Sequence, residues 1–354
     1  MSKQVKILLI GCGRVAEHYK AVFKKIKNKN FIISAVCDLN TNKLKKFQKY
    51  YKCNAYKNHK EAMLSQVFDL AIILTPSGSH YTISHDCINM RVNTITEKPM
   101  SMKKKECDIL IKLAKSKKVL FGCVFQNRFN PSILFIKGLI DKGYFGKIIT
   151  ANIRLRWARY QEYYNDGWHG TWKNDGGVIN QQCIHHIDIL NMINGPVDKV
   201  CSLGENLLNN LEAEDSMVAL FKFKNKSLGT LEATTAARPK DIEASLSVVA
   251  ENGYFDISGI ALNKITDIYI KGKKFDLNLI KRKYSQDVPN GYGLGHIPFF
   301  EKVFMNIINK KLTPPVDVLS SRDTTHLIHA LYKSSETKKW IKVDNKAISS
   351  KLGN

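Results

Sequence analysis

Three stretches of this sequence carry residue types that can do chemistry, at spacings that the chemistry requires. In ILLIGCGRVAEHY, Gly11 and Gly13 form a G-x-G-x-x-A pattern directly after an apolar run. Gly11 permits a tight turn, Gly13 lets the backbone approach a pyrophosphate at a helix N-terminus, and Ala16 allows close helix–strand packing. Arg14 and Val15 open that helix and join the glycines as candidate cofactor contacts. A second apolar run ends at Asp38, 22 residues after Ala16, where a carboxylate accepts hydrogen bonds from ribose hydroxyls and repels a 2′-phosphate. The combination predicts a nicotinamide dinucleotide cofactor, NAD in preference to NADP. A glycine turn of purely local use is the alternative.

The second stretch is ITEKPMS, in which a carboxylate (Glu97), an ammonium (Lys98) and a proline (Pro99) end an otherwise apolar run. Buried Lys and Glu are rare unless paired or used in chemistry, and the residue before a proline is held extended. Lys98 therefore reads either as an aimed amine or as part of a solvated strand-to-helix turn. The third stretch is the loop RWARYQEYYNDGWHGTWKNDGG with the HHID that follows it. From Arg154, just before the loop, to Trp172, Arg154, Arg156 and Arg159 alternate with Trp157, Tyr160, Tyr163, Tyr164, Trp168 and Trp172. Guanidinium forks suit phosphate or carboxylate, and aromatic planes suit a sugar face or a base. Packing of those aromatics into a core is the competing reading.

The elements that must position these residues follow from periodicity. Through residue 125, short apolar runs (VKILLI, FIISAVCD, FDLAIILTP, VNTITEKP, VLFGCVF) alternate with amphipathic helical stretches. That alternation predicts right-handed βαβ units and a parallel sheet with ligands at the carboxyl ends of its strands. TPSGSH (Thr75 to His80) and EKP end two such strands and project into that crevice. After a helix ending near Gly143, about six strand-like runs succeed one another, which predicts an α+β domain on a large, mainly antiparallel sheet. The expected domains are 1–125 and 126–354. The second has too few helices to cover both sheet faces, so a homodimer or homotetramer joined through the sheets is expected.

Composition narrows the partners. The chain of 354 residues carries 55 basic and 31 acidic residues, a formal +24, with 44% hydrophobic content. Such a field gathers anionic small molecules. Its lysines are spread along helix faces, as in KLKKFQKYYK, with no nucleic-acid-binding motif, so nucleic acid is not expected as a partner. No apolar run reaches the ~20 residues of a membrane span, and the opening MSKQVKILLIGCG lacks the pattern of a signal peptide. Eight cysteines are scattered without a CxxC, which suggests neither zinc nor a dithiol motif and fits a reducing cytoplasm. No metal is expected.

Taken in order, GxGxxA, TPSGSH, EKP, FQNRFNP and GG…H-x-x-D resemble the Gfo/Idh/MocA oxidoreductases, over nearly the whole chain. The resemblance implies an N-terminal Rossmann sheet, an open-faced second sheet, and NAD(P)-dependent oxidation or reduction of sugar or cyclitol carbons. It makes Lys98 the active-site lysine and His185 the catalytic histidine, with Asp188 the following acid, and it implies a cis Lys98–Pro99 bond. Glu97 then lies near the nicotinamide ribose, and Thr75, Pro76, His80 and Gln126 line the dinucleotide. His186 reads as a packed helix histidine. Gln181 stands where the family usually has Asp, which shifts weight from a His–Asp relay to Lys98 and His185.

The loop and YGLGHIPFFEKVF also resemble the subgroup that oxidises C3 of UDP-N-acetylglucosaminuronate. That resemblance gives Arg156, Arg159, Tyr163, Tyr164, Trp172, Gln181 and His296 as candidate substrate contacts. It implies an anionic substrate, a UDP-sugar, in surface-polysaccharide synthesis. Tyr160 and His169 depart from the subgroup, which commonly has Pro and Arg there. A dehydrogenase of free sugar or inositol is the second reading, and a non-catalytic dinucleotide sensor the third.

Overall fold

The structure, a computed structural model, describes residues 4–27 and 29–354. The opening residues 1–3, part of the expected direct run into the first strand, lie outside the described residues. The chain begins β1 (Val5–Ile10), α1 (Arg14–Lys25), β2 (Phe31–Cys37), α2 (Thr41–Tyr51), β3 (Asn54–Tyr56), α3 (His59–Ser65), β4 (Leu70–Ile73), α4 (His80–Asn89), β5 (Asn93–Thr96), α5 (Lys104–Lys117) and β6 (Phe121–Cys123). The six strands form one parallel sheet in the order β3-β2-β1-β4-β5-β6. Strands covered on both faces read as continuous apolar runs, and β4 is buried at every position. Helix α1 shows the complementary pattern: Ala16, Tyr19, Val22 and Phe23 are buried on one side while lysines take the other. Asn40 caps α2, its side-chain oxygen accepting from the Asn42 and Lys43 N–H groups. The three-residue edge strand β3 has no counterpart among the expected runs.

The chain continues α6 (Pro131–Asp141), β7 (Ile148–Arg156), α7 (Gln161–Tyr164), α8 (Val178–Gln181), α9 (Ile184–Asn194), β8 (Val197–Glu205), β9 (Ser216–Phe223), β10 (Leu228–Thr234), β11 (Glu243–Ala250), β12 (Gly253–Ser258), β13 (Lys264–Ile270), α10 (Leu277–Tyr284), α11 (His296–Ile308), α12 (Val318–Thr337) and β14 (Ile341–Lys342). Eight strands pair in the order β13-β12-β11-β7-β10-β9-β8-β14. Every pair is antiparallel except β7 with β10. The stretch EASLSVVAENGYFDI, which reads as one run, is a hairpin of β11 and β12 turning at Glu251–Asn252. Strict alternation of burial along β9 marks a sheet with one packed and one open face.

The fold is thus α/β, a Rossmann sheet followed by a large, mainly antiparallel open-faced sheet. Two compact units emerge: residues 1–124 with 296–322, and residues 125–295 with 323–354. The single cut expected at 125 needs correction for 296–322. The cause is aromatic. Phe300 packs against Tyr19 and Phe23 at ring centroids 5.2 and 5.5 Å, and Phe304 stacks on Phe31 at 4.6 Å. Each such pair contributes about 0.5–1.5 kcal/mol beyond its area burial, which docks α11 on α1 and β2 of the first unit.

Candidate active site

In the first unit, the glycine loop joins β1 to α1. Gly11 takes φ +98°, and a Cβ there would lie 2.7 Å from the Leu74 carbonyl, so only glycine fits. A Cβ at Gly13 would meet nothing within 4 Å, which leaves open space ahead of the helix. Gly13 is the N-cap of the twelve-residue α1 and no side chain caps it, the condition in which first-turn N–H groups receive an anion. Arg14 is exposed and Val15 partly so. Asp38, partly exposed at the end of β2, accepts from the Cys12 N–H and the Asn40 N–H, each at 2.7 Å. Its carboxylate therefore fixes the glycine loop. These features fit a dinucleotide.

The loops after β4 and β5 carry the remaining first-unit candidates. Thr75 is partly exposed, its Oγ1 accepting from Ser79 Oγ at 2.7 Å, and Pro76 is exposed. His80 corrects an expectation: it is 1% exposed and does not line the crevice. Its Nδ1 lies 2.7 Å from the Pro99 carbonyl oxygen and its Nε2 2.9 Å from that of Thr75, so the ring ties the two loops together. The Lys98–Pro99 peptide is cis, and Lys98 is partly exposed rather than buried.

Glu97 is buried. Tyr19 Oη donates to its Oε1 at 2.6 Å, the Lys98 N–H donates to its Oε2 at 3.1 Å, and His296 Nε2 lies 3.6 Å from Oε1. Burial alone would raise its pKa. The His296 hydrogen bond and charge, the Tyr19 hydroxyl and the Lys98 charge outweigh burial and hold it at about 2. His296, expected to touch substrate, is instead a 1%-exposed member of this cluster, its ring edge-on to Tyr19 and to His18.

In the second unit, His185 lies in the first turn of α9, 8% exposed, and Gln126 opens a 3₁₀ turn, Gln126–Phe129. Gln126 Nε2 is 3.4 Å from both His185 Nε2 and the Tyr292 carbonyl oxygen. A carbonyl only accepts, so the amide nitrogen must face it, and the same nitrogen then meets His185 Nε2 as an acceptor.

Asp188, the acid that follows His185, lies one turn further along α9. Its carboxylate is 1% exposed and takes the Arg128 fork, Nε to Oδ2 at 2.7 Å and Nη2 to Oδ1 at 2.6 Å, with Thr324 Oγ1 at 2.9 Å. The pair clamps the turn bearing Gln126 onto the helix bearing His185. Arg128 stands in FQNRFNP but carried no separate signal in the sequence. The start of α8 is fixed by Glu214, which accepts from the Ile179 N–H at 3.1 Å and Tyr332 Oη at 3.0 Å. Burial pushes the Glu214 carboxyl up to about 7. His186 is fully buried against Trp157, and burial lowers its pKa to about 4.

The loop candidates divide. Arg159 stays on the loop, its Nη1 2.9 Å from Asp241 Oδ1 and its guanidinium over Trp157 (5.0 Å) and Tyr163 (5.6 Å). Tyr163 Oη accepts from Gln182 Nε2 at 3.4 Å, which joins this group to the residue after α8 and after partly exposed Gln181. Arg156 does not join them. It lies with Arg154 on the open face of β7, paired with Glu232 at 2.6 Å, whereas its neighbour Leu155 is buried on the face that α9 covers. Tyr164 is a core residue, its hydroxyl 2.8 Å from Thr235 Oγ1, and burial raises its pKa to about 12. Trp172 packs on Tyr332 and beneath Lys351. Among the described residues no group of three His, Cys, Asp or Glu could hold a metal ion, and no helix is long and apolar enough to cross a membrane.

Two family models match: an oxidoreductase family, NAD-binding Rossmann fold, over residues 5–125, and the GFO/IDH/MocA C-terminal domain over residues 133–256. The chain belongs to the Gfo/Idh/MocA oxidoreductase family. Its first unit is therefore the NAD-binding domain. Among curated members, oxidoreductase P35 of Formosa agariphila is 27% identical over 206 residues, 56% of this chain and 64% of that protein. The match thus spans less than two thirds of that relative. Myo-inositol 2-dehydrogenase of Thermotoga maritima is 23% identical over 236 residues, 64% of this chain and 68% of that one.

Likeness to solved structures extends further. The WlbA dehydrogenase of Chromobacterium violaceum, solved with NADH and UDP-GlcNAcA, matches at TM-score 0.89 and 27% identity over 97% of each chain. WlbA of Bordetella pertussis, solved with the same pair, matches at TM-score 0.91 and 24% identity, over 97% of this chain and 98% of that one, a likeness of fold.

Proposed function

We propose that this oxidoreductase uses NAD to oxidise a secondary hydroxyl, at C3, of a UDP-N-acetyl hexuronate or a near relative, in surface-polysaccharide synthesis. The observation that carries the reading is the likeness, across 97% of each chain, to a dehydrogenase solved with NADH and UDP-GlcNAcA. The loop supports it: Arg159, Trp157 and Tyr163 gather a guanidinium and aromatic planes, the chemistry that holds a charged, ringed ligand.

Nicotinamide, when bound, supplies the hydride acceptor; everything else falls to the chain. Gly11, Gly13 and the first turn of α1 receive the pyrophosphate, and Asp38 the adenosine ribose. His185 takes the hydroxyl proton as general base, with Gln126 standing beside its ring. Lys98 holds the developing alkoxide with its ammonium. The Arg128–Asp188 clamp keeps Gln126 and His185 in register. A positioned base of this kind contributes ~10²–10⁴-fold.

Cofactor reduction followed at matched concentrations of UDP-N-acetylglucosaminuronate, UDP-N-acetylglucosamine, glucose and myo-inositol tests the reading. Turnover of the first above the others is expected. Turnover of inositol or glucose above both UDP-sugars would move the protein to the second reading, a free-sugar or inositol dehydrogenase, which the Thermotoga relative favours.

The open face of the eight-stranded sheet supports a homo-oligomer. It carries half-exposed Leu203, Val218 and Leu220 around a cavity of about 1090 Å³. A strict monomer by light scattering at micromolar concentration would contradict this.

A further inference from the structure

We infer that the buried carboxylate of Glu97, held by Tyr19 and His296, raises the affinity of the first unit for the oxidised dinucleotide relative to the reduced one. The inference rests on NAD binding, which family membership carries, and not on the proposed sugar. In the order β3-β2-β1-β4-β5-β6 the strand sequence reverses between β1 and β4, and a dinucleotide lies across that point at the carboxyl ends. Asp38 marks the adenosine side on β2, so the nicotinamide side falls toward β4 and β5. Glu97 follows the last residue of β5, and its N–H bonds the Ile73 carbonyl at the end of β4 at 2.9 Å.

A carboxylate in that place is ordinarily costly, since burial without partners favours the neutral acid. Here the Tyr19 hydroxyl at 2.6 Å, the Lys98 N–H at 3.1 Å and His296 Nε2 at 3.6 Å compensate. The result is a fixed negative charge that water does not screen. The oxidised nicotinamide ring is a cation and the reduced ring is neutral, so a fixed charge on this side of the crevice acts on their difference. Lys98 opposes the cation, and Glu97 offsets Lys98. Tyr19 and His296 are positioning residues: both are buried against Glu97 and act by keeping it ionised and in place.

The experiment measures Kd for NAD+ and for NADH by titration calorimetry on the full chain, without substrate. Glu97→Gln is expected to weaken NAD+ relative to NADH by on the order of ten-fold, about 1.4 kcal/mol. Glu97→Asp, which restores the charge, is expected to recover most of that ratio. Should Glu97→Gln fail to fold, Tyr19→Phe tests the same point, since it keeps the carboxylate and removes its shortest donor. Tyr19→Phe should raise the Glu97 pKa from about 2 toward the usual carboxylate range, so between pH 6 and pH 4 its NAD+/NADH preference should fall by more than the wild type's, with His18, His80, His296 and Lys98 common to both chains. Equal loss of both affinities in Glu97→Gln, or superimposable pH profiles for Tyr19→Phe and wild type, would overturn the inference.

Discussion

Replacing Arg128 by Met tests whether the clamp beneath His185 is as strong as its geometry implies. Asp188 is 1% exposed and accepts three hydrogen bonds, two from the Arg128 fork at 2.7 and 2.6 Å and one from Thr324 at 2.9 Å. Removing Arg128 leaves a buried carboxylate with one neutral donor. Breaking a buried pair from one side costs about 3–5 kcal/mol because the remaining charge is uncompensated. Replacing both members by Arg128→Met with Asp188→Leu removes that charge as well, and such exchanges range from neutral to stabilising by ~1–4 kcal/mol. The double variant should therefore be more stable than Arg128→Met alone, which makes the coupling energy large and favourable. Arg128→Lys keeps the charge but not the fork and should fall between. The assay is urea unfolding followed by tryptophan fluorescence, because Trp157, Trp168 and Trp172 all lie in this unit. A cost below about 1 kcal/mol for Arg128→Met, or a double variant equal to the sum of the singles, would refute the reasoning.

Four shorter expectations follow from the same geometry. Lys98→Met and His185→Asn should each abolish turnover while NAD still binds, His185→Asn with affinity within a few-fold of the wild type's, measured by steady-state kinetics and cofactor titration. Asp38→Ser should lose NAD affinity and gain NADP affinity, narrowing a preference of about ten- to a hundred-fold. The NAD loss has two sources here, the ribose contact and the bond to the Cys12 N–H. His186 has a folded pKa depressed by burial to about 4, so the unfolded chain binds its proton first as pH falls below ~6.5. Stability is therefore lost between pH 6.5 and 4, about 2 kcal/mol of it by pH 5, and urea midpoints at pH 7 and pH 5 should show a smaller drop for His186→Phe. A light-scattering mass equal to one chain would count against pairing through the open sheet face.

Much of the first unit was legible because its constraints are local. A glycine at positive φ and a strand buried on both faces each leave a mark within a few residues, so GxGxxA, Asp38 and the EKP turn fall where the pattern predicts. The edge strand Asn54–Tyr56 left none, being three residues of which none is buried. The placement of 296–322 depends on Phe300 and Phe304 finding Tyr19, Phe23 and Phe31, partners some 270 residues away, and no local signal reports that.

Arg156 shows where alternation stops helping. Its period of two correctly puts Arg154 and Arg156 on one face of β7. Which face meets α9 is decided by Leu155 and Ile153, whose burial sends both arginines to the open side, toward Glu232 and Glu243. Asp188, the acid that follows His185, is likewise taken up by a residue its spacing does not announce, Arg128, because a partner is a property of tertiary packing. Gln126 makes the same point: it meets His185 and the Tyr292 carbonyl across separations of 59 and 166 residues, contacts that only the folded second unit brings together.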